Sequence, residues 1–198
     1  MKSLTAVTLA SAMLAGMAAP SLAQSEFDGA YAVVNGGYGY SALSTDAFGG
    51  TIDSSGHGFL GGVSGGYGHS IGDFYIGGEV GLDLSDIETD FTAGGATVDL
   101  NRKGSVGAVA RAGFMPADDL LVYGAGGVSL GYYEGDVARG LNTGNNNGWQ
   151  RAYRVGAGVD RSISSDAFVR AGVDVDFVNE NSVSVTTGAA KVGLGFRF

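Results

Sequence analysis

The nine residues at 190–198, Ala-Lys-Val-Gly-Leu-Gly-Phe-Arg-Phe, constrain the fold more than any other stretch. Strand side chains alternate between two faces. One face here carries Ala190, Val192, Leu194, Phe196 and Phe198. The other carries Lys191, Gly193, Gly195 and Arg197. Glycines and cations opposite a wholly apolar face suggest a polar interior and an apolar exterior, the arrangement of a transmembrane β-barrel. An ordinary amphipathic edge strand would alternate in the same way, so the remaining strands must decide.

They repeat the pattern. The first, Gly29–Tyr40, sets Ala30, Ala32, Val34, Gly36, Tyr38 and Tyr40 against Tyr31, Val33, Asn35, Gly37 and Gly39. The second, about Gly58–His69, gathers Phe59, Val63 and Tyr67 on its more apolar face. The third, Phe74–Ser85, alternates most clearly, with Phe74, Ile76, Val80, Leu82 and Leu84 opposite Tyr75, Glu79, Asp83 and Ser85. The fourth points Val106, Ala108, Ala110, Ala112 and Phe114 outward, and Ser105 and Arg111 inward. The fifth, Leu120–Tyr133, is ambiguous in parity. Placing Val122, Val128, Leu130 and Tyr132 outward lets Ser129 face in. The sixth sends Trp149, Tyr153, Val155, Ala157 and Val159 outward, with Arg154 and Asp160 inward. The seventh sends Val169, Ala171, Val173, Val175 and Phe177 outward, with Arg170, Asp174 and Asp176 inward.

Eight strands result, and the connections alternate in length. Short turns follow the second, fourth and sixth strands, at Ser70–Asp73, Met115–Asp119 and Ser162–Ala167. Longer loops are expected at Ala42–Ser55, Asp86–Asn101, Glu134–Gly148 and Asn179–Thr187, with room for strands to extend into the second. Outer-membrane barrels show this asymmetry, with short periplasmic turns and long external loops. The expected fold is therefore all-β, an eight-stranded antiparallel up-and-down transmembrane β-barrel. Tyr38, Tyr40, Tyr67, Phe74, Phe114, Tyr132, Trp149 and Phe177 lie near strand ends and would form aromatic girdles.

The start of the chain fits export. Lys2 precedes an Ala-rich apolar run, Pro20 breaks it, and Ser21-Leu22-Ala23 suits a cleavage site. Residues 1–23 read as a signal peptide and 24–198 as one barrel domain. The chain contains no Cys, as suits an oxidising compartment. Its net charge is −9, and loss of Lys2 with the leader would make it about −10; nucleic acid, which needs a basic footprint, is disfavoured as a partner. Glycine numbers 37 of 198 residues, far above the usual roughly 7%. At that density it leaves room inside a narrow barrel.

The segments Asn-Gly-Gly-Tyr (35–38), Gly-Gly-Tyr (65–67), Gly-Gly-Glu-Val-Gly (77–81), Arg-Ala-Gly-Phe (111–114), Gly-Gly-Val (126–128), Gly-Ala-Gly-Val-Asp (156–160) and Gly-Phe-Arg-Phe (195–198) carry a resemblance. In order and spacing they resemble the small eight-stranded outer-membrane β-barrels, both the OmpA transmembrane domain and the short porin-family proteins. The resemblance covers essentially the whole chain after residue 23. It implies the cell outer membrane of a Gram-negative envelope, with lipid and lipopolysaccharide around the wall. It makes Val192, Leu194, Phe196 and Phe198 an assembly signal for the barrel-assembly machinery. It also matches Glu79, Arg111, Asp160 and Arg170 to a central charge cluster that blocks the bore, with Asp at 160 where the family usually carries the longer Glu. A Glu79–Arg170 contact is expected at its centre, with Arg111 and Asp160 close by, and Arg170→Ala is expected to raise conductance. Parity adds Asp83, Arg154, Asp174, Asp176, Lys191 and Arg197 to the lumen, so that five acids face five bases.

Other constellations are weaker. His57 and His69 stand at opposite ends of one strand and cannot share a metal. His57 with Ser54 or Ser55 would be the only pair for a lipid A deacylase on the outer wall, with no orienting acid apparent. Gly65-Gly66-x-Gly68 and Gly124-x-Gly126 mimic nucleotide loops but lack the following helix. The Asn-rich run at 142–147 reads as a solvated turn rather than a calcium loop. Asp174 and Asp176 read as ion-pair partners rather than a cation site. No catalytic, metal or cofactor residues are assigned. The function expected is a non-enzymatic barrel for envelope integrity and surface display. The rivals are a narrow diffusion channel and, further off, a lipid A-modifying enzyme. The sequence leaves the oligomeric state open.

Overall fold

The computed structural model describes residues 26–47, 50–93, 96–139, 142–180 and 183–198, with side chains described at 26–42, 55–86, 103–132, 148–178 and 186–198. Eight strands follow one another: β1 (Gly29–Ala47), β2 (Gly50–Ile71), β3 (Phe74–Ala93), β4 (Ala96–Ala117), β5 (Leu120–Arg139), β6 (Asn142–Ser162), β7 (Ala167–Glu180) and β8 (Val183–Arg197). Each pairs antiparallel with the next, and β1 pairs with β8, which closes the barrel. The described residues include no helix. The expected leader, residues 1–23, lies outside the described residues.

The register fixes the shape. Following paired residues once around, from Ala30 through Tyr67, Gly78, Ala110, Gly126, Val155, Val175 and Gly188, returns to β1 at Tyr40, ten residues from the start. Eight strands with that stagger tilt by about 40° and enclose a bore just wide enough for side chains to fill.

The parity follows the sequence pattern on every strand, β5 included. Val128 and Leu130 are exposed on the outside, while Ser129 is buried within. The outward apolar run on β3, from Phe74 to Leu84, spans ten residue steps. At about 3.3 Å per residue and a tilt of about 40°, that is about 25 Å along the barrel axis, the height of an outer-membrane barrel's apolar band. Near the upper edge of the band Tyr38 packs edge-on against Phe59 at 5.3 Å, and Tyr132 meets Trp149 at 5.4 Å. At the lower edge Phe74 stands opposite Phe114 in the ladder.

The strands run much further than the alternation suggested. Ala42–Ser55, Asp86–Asn101, Glu134–Gly148 and Asn179–Thr187 were expected as loops. The ladders instead continue to Ala47 and from Gly50, to Ala93 and from Ala96, to Arg139 and from Asn142, and to Glu180 and from Val183. The Asn-rich run at 142–147 is thus the start of β6, not a turn. Beyond the apolar band a strand meets water on its outer face, so it keeps its backbone pairs but loses the apolar alternation that betrays it.

The short-turn end matches the expected turns closely. Gly72 adopts φ +62 in the two-residue link between β2 and β3, a backbone that primed hairpin turns require. Neighbouring turns are stitched together: the amides of Met115, Ser162 and Arg197 each donate 2.8 Å bonds to the carbonyls of Asp73, Asp119 and Asp166.

Candidate functional site: the charged lumen

Inward charges on five strands, β3, β4, β6, β7 and β8, converge on two stacked networks. The lower one centres on Arg111 of β4 and Arg170 of β7. Arg170 donates from Nη1 to Glu79 Oε2 at 2.7 Å, and from Nε and Nη2 to the two carboxylate oxygens of Asp160 at 2.8 and 2.9 Å. Arg111 donates to Asp160 Oδ2 at 2.8 Å and to the Tyr31 hydroxyl at 2.8 Å. Tyr31 passes the chain on, donating to Glu79 Oε2 at 2.8 Å. The Arg111 guanidinium also lies 3.6 Å from the centre of the Tyr123 ring. Two arginines share two carboxylates, and each bond is charge-assisted. Asp160 reaches both arginines despite being shorter than Glu, because it stands directly opposite Arg170 in the β6–β7 ladder.

The upper network lies toward the long hairpins. Arg154 of β6 grips Asp176 of β7 with two bonds, Nε to Oδ1 at 2.7 Å and Nη2 to Oδ2 at 2.8 Å. It reaches Asp83 at 3.3 Å and the Ser105 hydroxyl at 3.4 Å. Lys191 of β8 bridges Asp83, at 3.1 Å to both oxygens, and Asp174 at 2.9 Å. The carboxylates of Asp83 and Asp174 are therefore tied across the bore by one ammonium. Between the networks lies a cavity of about 80 Å³, room for about five to eight waters at 10–15 Å³ each. Asn35 Oδ1 and Ser64 Oγ, both in residues that line it, have no hydrogen-bond partner among the described residues.

Nine of the ten lumen candidates join these networks. The tenth, Arg197, sits below them, and no salt bridge joins it to a carboxylate among the described residues. Its guanidinium lies 4.6 Å from the Phe27 ring centre and 4.5 Å from that of Phe168, and donates to Ser162 Oγ at 3.1 Å. The expected balance of five against five therefore becomes five carboxylates against four cations within the networks. Tyr31, Tyr75 and Tyr123 belong to the site and were read only as inward aromatics or not weighed at all. Tyr31 and Tyr123 touch the guanidinium groups, and Tyr75 lies within 5.7 Å of that of Arg111. Signals existed: Tyr31 and Tyr75 fall on the polar parity of their strands.

The other candidates stay apart. Val192, Leu194, Phe196 and Phe198 are exposed on the outer wall. Ser55 and His57, two residues apart, share the outward face, and the register sets Glu88 opposite His57. No hydrogen bond joins Ser55 to His57, whose ring lies 5.9 Å from that of Tyr38. The side chain of Ser54 lies outside the described residues. Both glycine-rich patterns, 65–68 and 124–126, lie within strands. Among the described residues no group of three acids or histidines is placed to hold a metal ion.

Comparison with known proteins places this geometry. Ail, the attachment invasion locus protein of Yersinia pestis, superposes with a TM-score of 0.50 at 15% identity, over 89% of this chain and 100% of that one. The outer membrane protein OprG of Pseudomonas aeruginosa gives 0.52 at 13% identity, over 88% and 97%. At these identities the likeness shows the fold alone. No curated protein matches the chain in sequence. The family described as outer membrane protein beta-barrel domain matches residues 9–198. With its closed eight-stranded wall, apolar band and charged bore, the chain belongs to that outer-membrane β-barrel family.

Proposed function

We propose that the protein is a non-enzymatic integral barrel of the outer membrane that contributes to envelope integrity and displays its long hairpins outside. On this reading residues 1–23 are removed on export. Val192, Leu194, Phe196 and Phe198 are read by the barrel-assembly machinery. The tyrosines, phenylalanines and tryptophan of the girdles sit at the two membrane interfaces, among lipid and lipopolysaccharide. The observation that carries the reading is the bore itself: two layers of ion pairs, each spanning facing strands, occupy the space through which a solute would pass. Such pairs hold the wall together from inside, because loss of one partner strands the other charge in a low-dielectric interior.

The cavity between the layers favours a second reading, a narrow diffusion channel whose networks part from time to time. Recording in planar bilayers separates the two. The purified protein is expected to hold the bare-membrane conductance over long records. Frequent, well-defined openings in the unmodified protein would establish the channel instead. Mass analysis of lipid A from cells with and without the protein addresses the enzyme reading. Identical species are expected, and loss of an acyl chain that depends on Ser55 or His57 would contradict the non-enzymatic assignment.

A further inference from the structure

The residues just before β1 do not follow the wall. Phe27 turns into the short-turn mouth of the bore, where it is 3% exposed. It packs with Tyr75 of β3 and Leu121 of β5, and Met115 of β4 and Tyr123 of β5 close around this cluster. From β8 the Arg197 guanidinium lies between the Phe27 and Phe168 rings. Asp28 ties the same segment to β2. The Ser70 amide donates to its Oδ1 at 2.5 Å, and His69 Nδ1 lies 3.8 Å from its Oδ2. Phe27 and Asp28 thus reach β2, β3, β4, β5 and β8 around the mouth. The chain then turns into β1 at Gly29, whose φ is +100 and where a Cβ would stand 3.2 Å from the Phe198 carbonyl oxygen.

We propose that residues 26–28 form a strap that seals the short-turn mouth independently of the ion networks, so that the cavity is shut below by the strap and above by the upper network. Two observations carry this. The cavity stops short of the mouth: Asn35, Ser64, Glu79 and Lys191 line it, but Phe27, Tyr75, Leu121, Phe168 and Arg197 do not. The seal is also made differently from the networks above it. It is aromatic and apolar, and its one cation faces two rings rather than a carboxylate. A cation held between rings away from water is a stabilising arrangement in its own right. Breaking the salt bridges leaves it intact. Arg170→Ala alone is then no longer expected to open the bore, because the strap and the upper network both remain. Failure of the strap would leave the membrane wall and the networks unaffected, so the proposal stands or falls apart from the function proposed above.

The test uses the full-length folded protein in detergent micelles, where both mouths meet bulk reagent. Ser162, beside Arg197 at the mouth, is replaced by cysteine as a reporter, and a bulky charged methanethiosulfonate is the probe. With the strap intact the reaction is expected to be slow. Phe27→Gly in the same background is expected to speed it at least tenfold, and Phe27→Leu to keep it slow. Ser129→Cys, buried at the level of the upper network, serves as the second reporter and is expected to react at the same rate with Phe27 or Gly at position 27. Equal rates at Ser162→Cys with and without Phe27 would overturn the strap. So would parallel acceleration at both reporters, which means general loosening. Folding of each variant is checked by its heat-dependent mobility on SDS gels. If Phe27→Gly does not fold, Phe27→Ala is the second variant, with the same outcomes.

Discussion

At the scale of single residues, several donors of the lower network share one acceptor. Glu79 Oε2 accepts from Tyr31, Arg111 and Arg170 at 2.8, 3.3 and 2.7 Å. Its loss therefore leaves two guanidinium groups and a phenol short of an acceptor. Arg170→Ala or Glu79→Ala alone is expected to cost about 3–5 kcal/mol. The double variant is expected to cost clearly less than the two together. Urea unfolding in lipid vesicles measures this, and additive effects would mean that the charges are hydrated separately. Glycine offers a second residue-scale check. Gly126 and its neighbour Gly127 differ in what a methyl group would meet: open space at the first, the backbone of β4 at Ala108 and Val109 at the second. Gly126→Ala is expected to be neutral or slightly stabilising. Gly127→Ala is expected to destabilise by about 1–3 kcal/mol. The same unfolding measurement would reverse that order if the parity of β5 were wrong.

At the scale of elements, what could be read from sequence tracks where lipid meets the wall. Within the apolar band alternation is forced. The residues from Phe74 to Leu84 and from Trp149 to Val159 therefore disclosed strand, parity and length of band together. Above it the outer face meets water. Nothing then distinguishes Asn-Thr-Gly-Asn-Asn-Asn-Gly in β6 from a turn, and that is where the strand ends were misjudged. The charge cluster was legible because residues such as Asp160 and Arg170 are ladder partners on the inward parity. The strap was not. Phe27 lies outside any alternating run, and its burial depends on four strands that are distant in sequence. Parity placed Arg197 inside, where it lies, but only the fold shows that its guanidinium rests between the Phe27 and Phe168 rings. The last strand also allows assembly to be separated from stability. Phe198 adds one 2.9 Å backbone bond, from its amide to the Ala30 carbonyl, worth about 1 kcal/mol. The residue is 69% exposed on the outer wall. Deleting Phe198 is expected to lower the outer-membrane level in cells severely while leaving refolded protein almost as stable as before. Immunoblots of membrane fractions set beside vesicle unfolding measure both. A normal cellular level would remove the assembly role from this residue.

At the scale of the whole molecule the chain is organised radially rather than around a buried apolar core. Its large aliphatic and aromatic side chains mostly face outward, and its hydrogen-bonded charges face inward. Closure by β1 and β8 satisfies the backbone of every strand, as a membrane demands. The central claim is that each strand divides lipid from a closed, charged lumen, and single cysteines test it most directly. Cysteine is placed outward at Val63, Ile76, Val80 or Leu82, and inward at Ser64, Gly81 or Ala125, in the folded protein in lipid vesicles. Each variant meets a lipid-soluble maleimide and a charged, water-soluble one. The outward positions are expected to react with the lipid-soluble reagent alone, and the inward positions with neither. Reaction of Val63→Cys or Val80→Cys with the charged reagent, or free labelling of Ser64→Cys and Ala125→Cys from water, would contradict it.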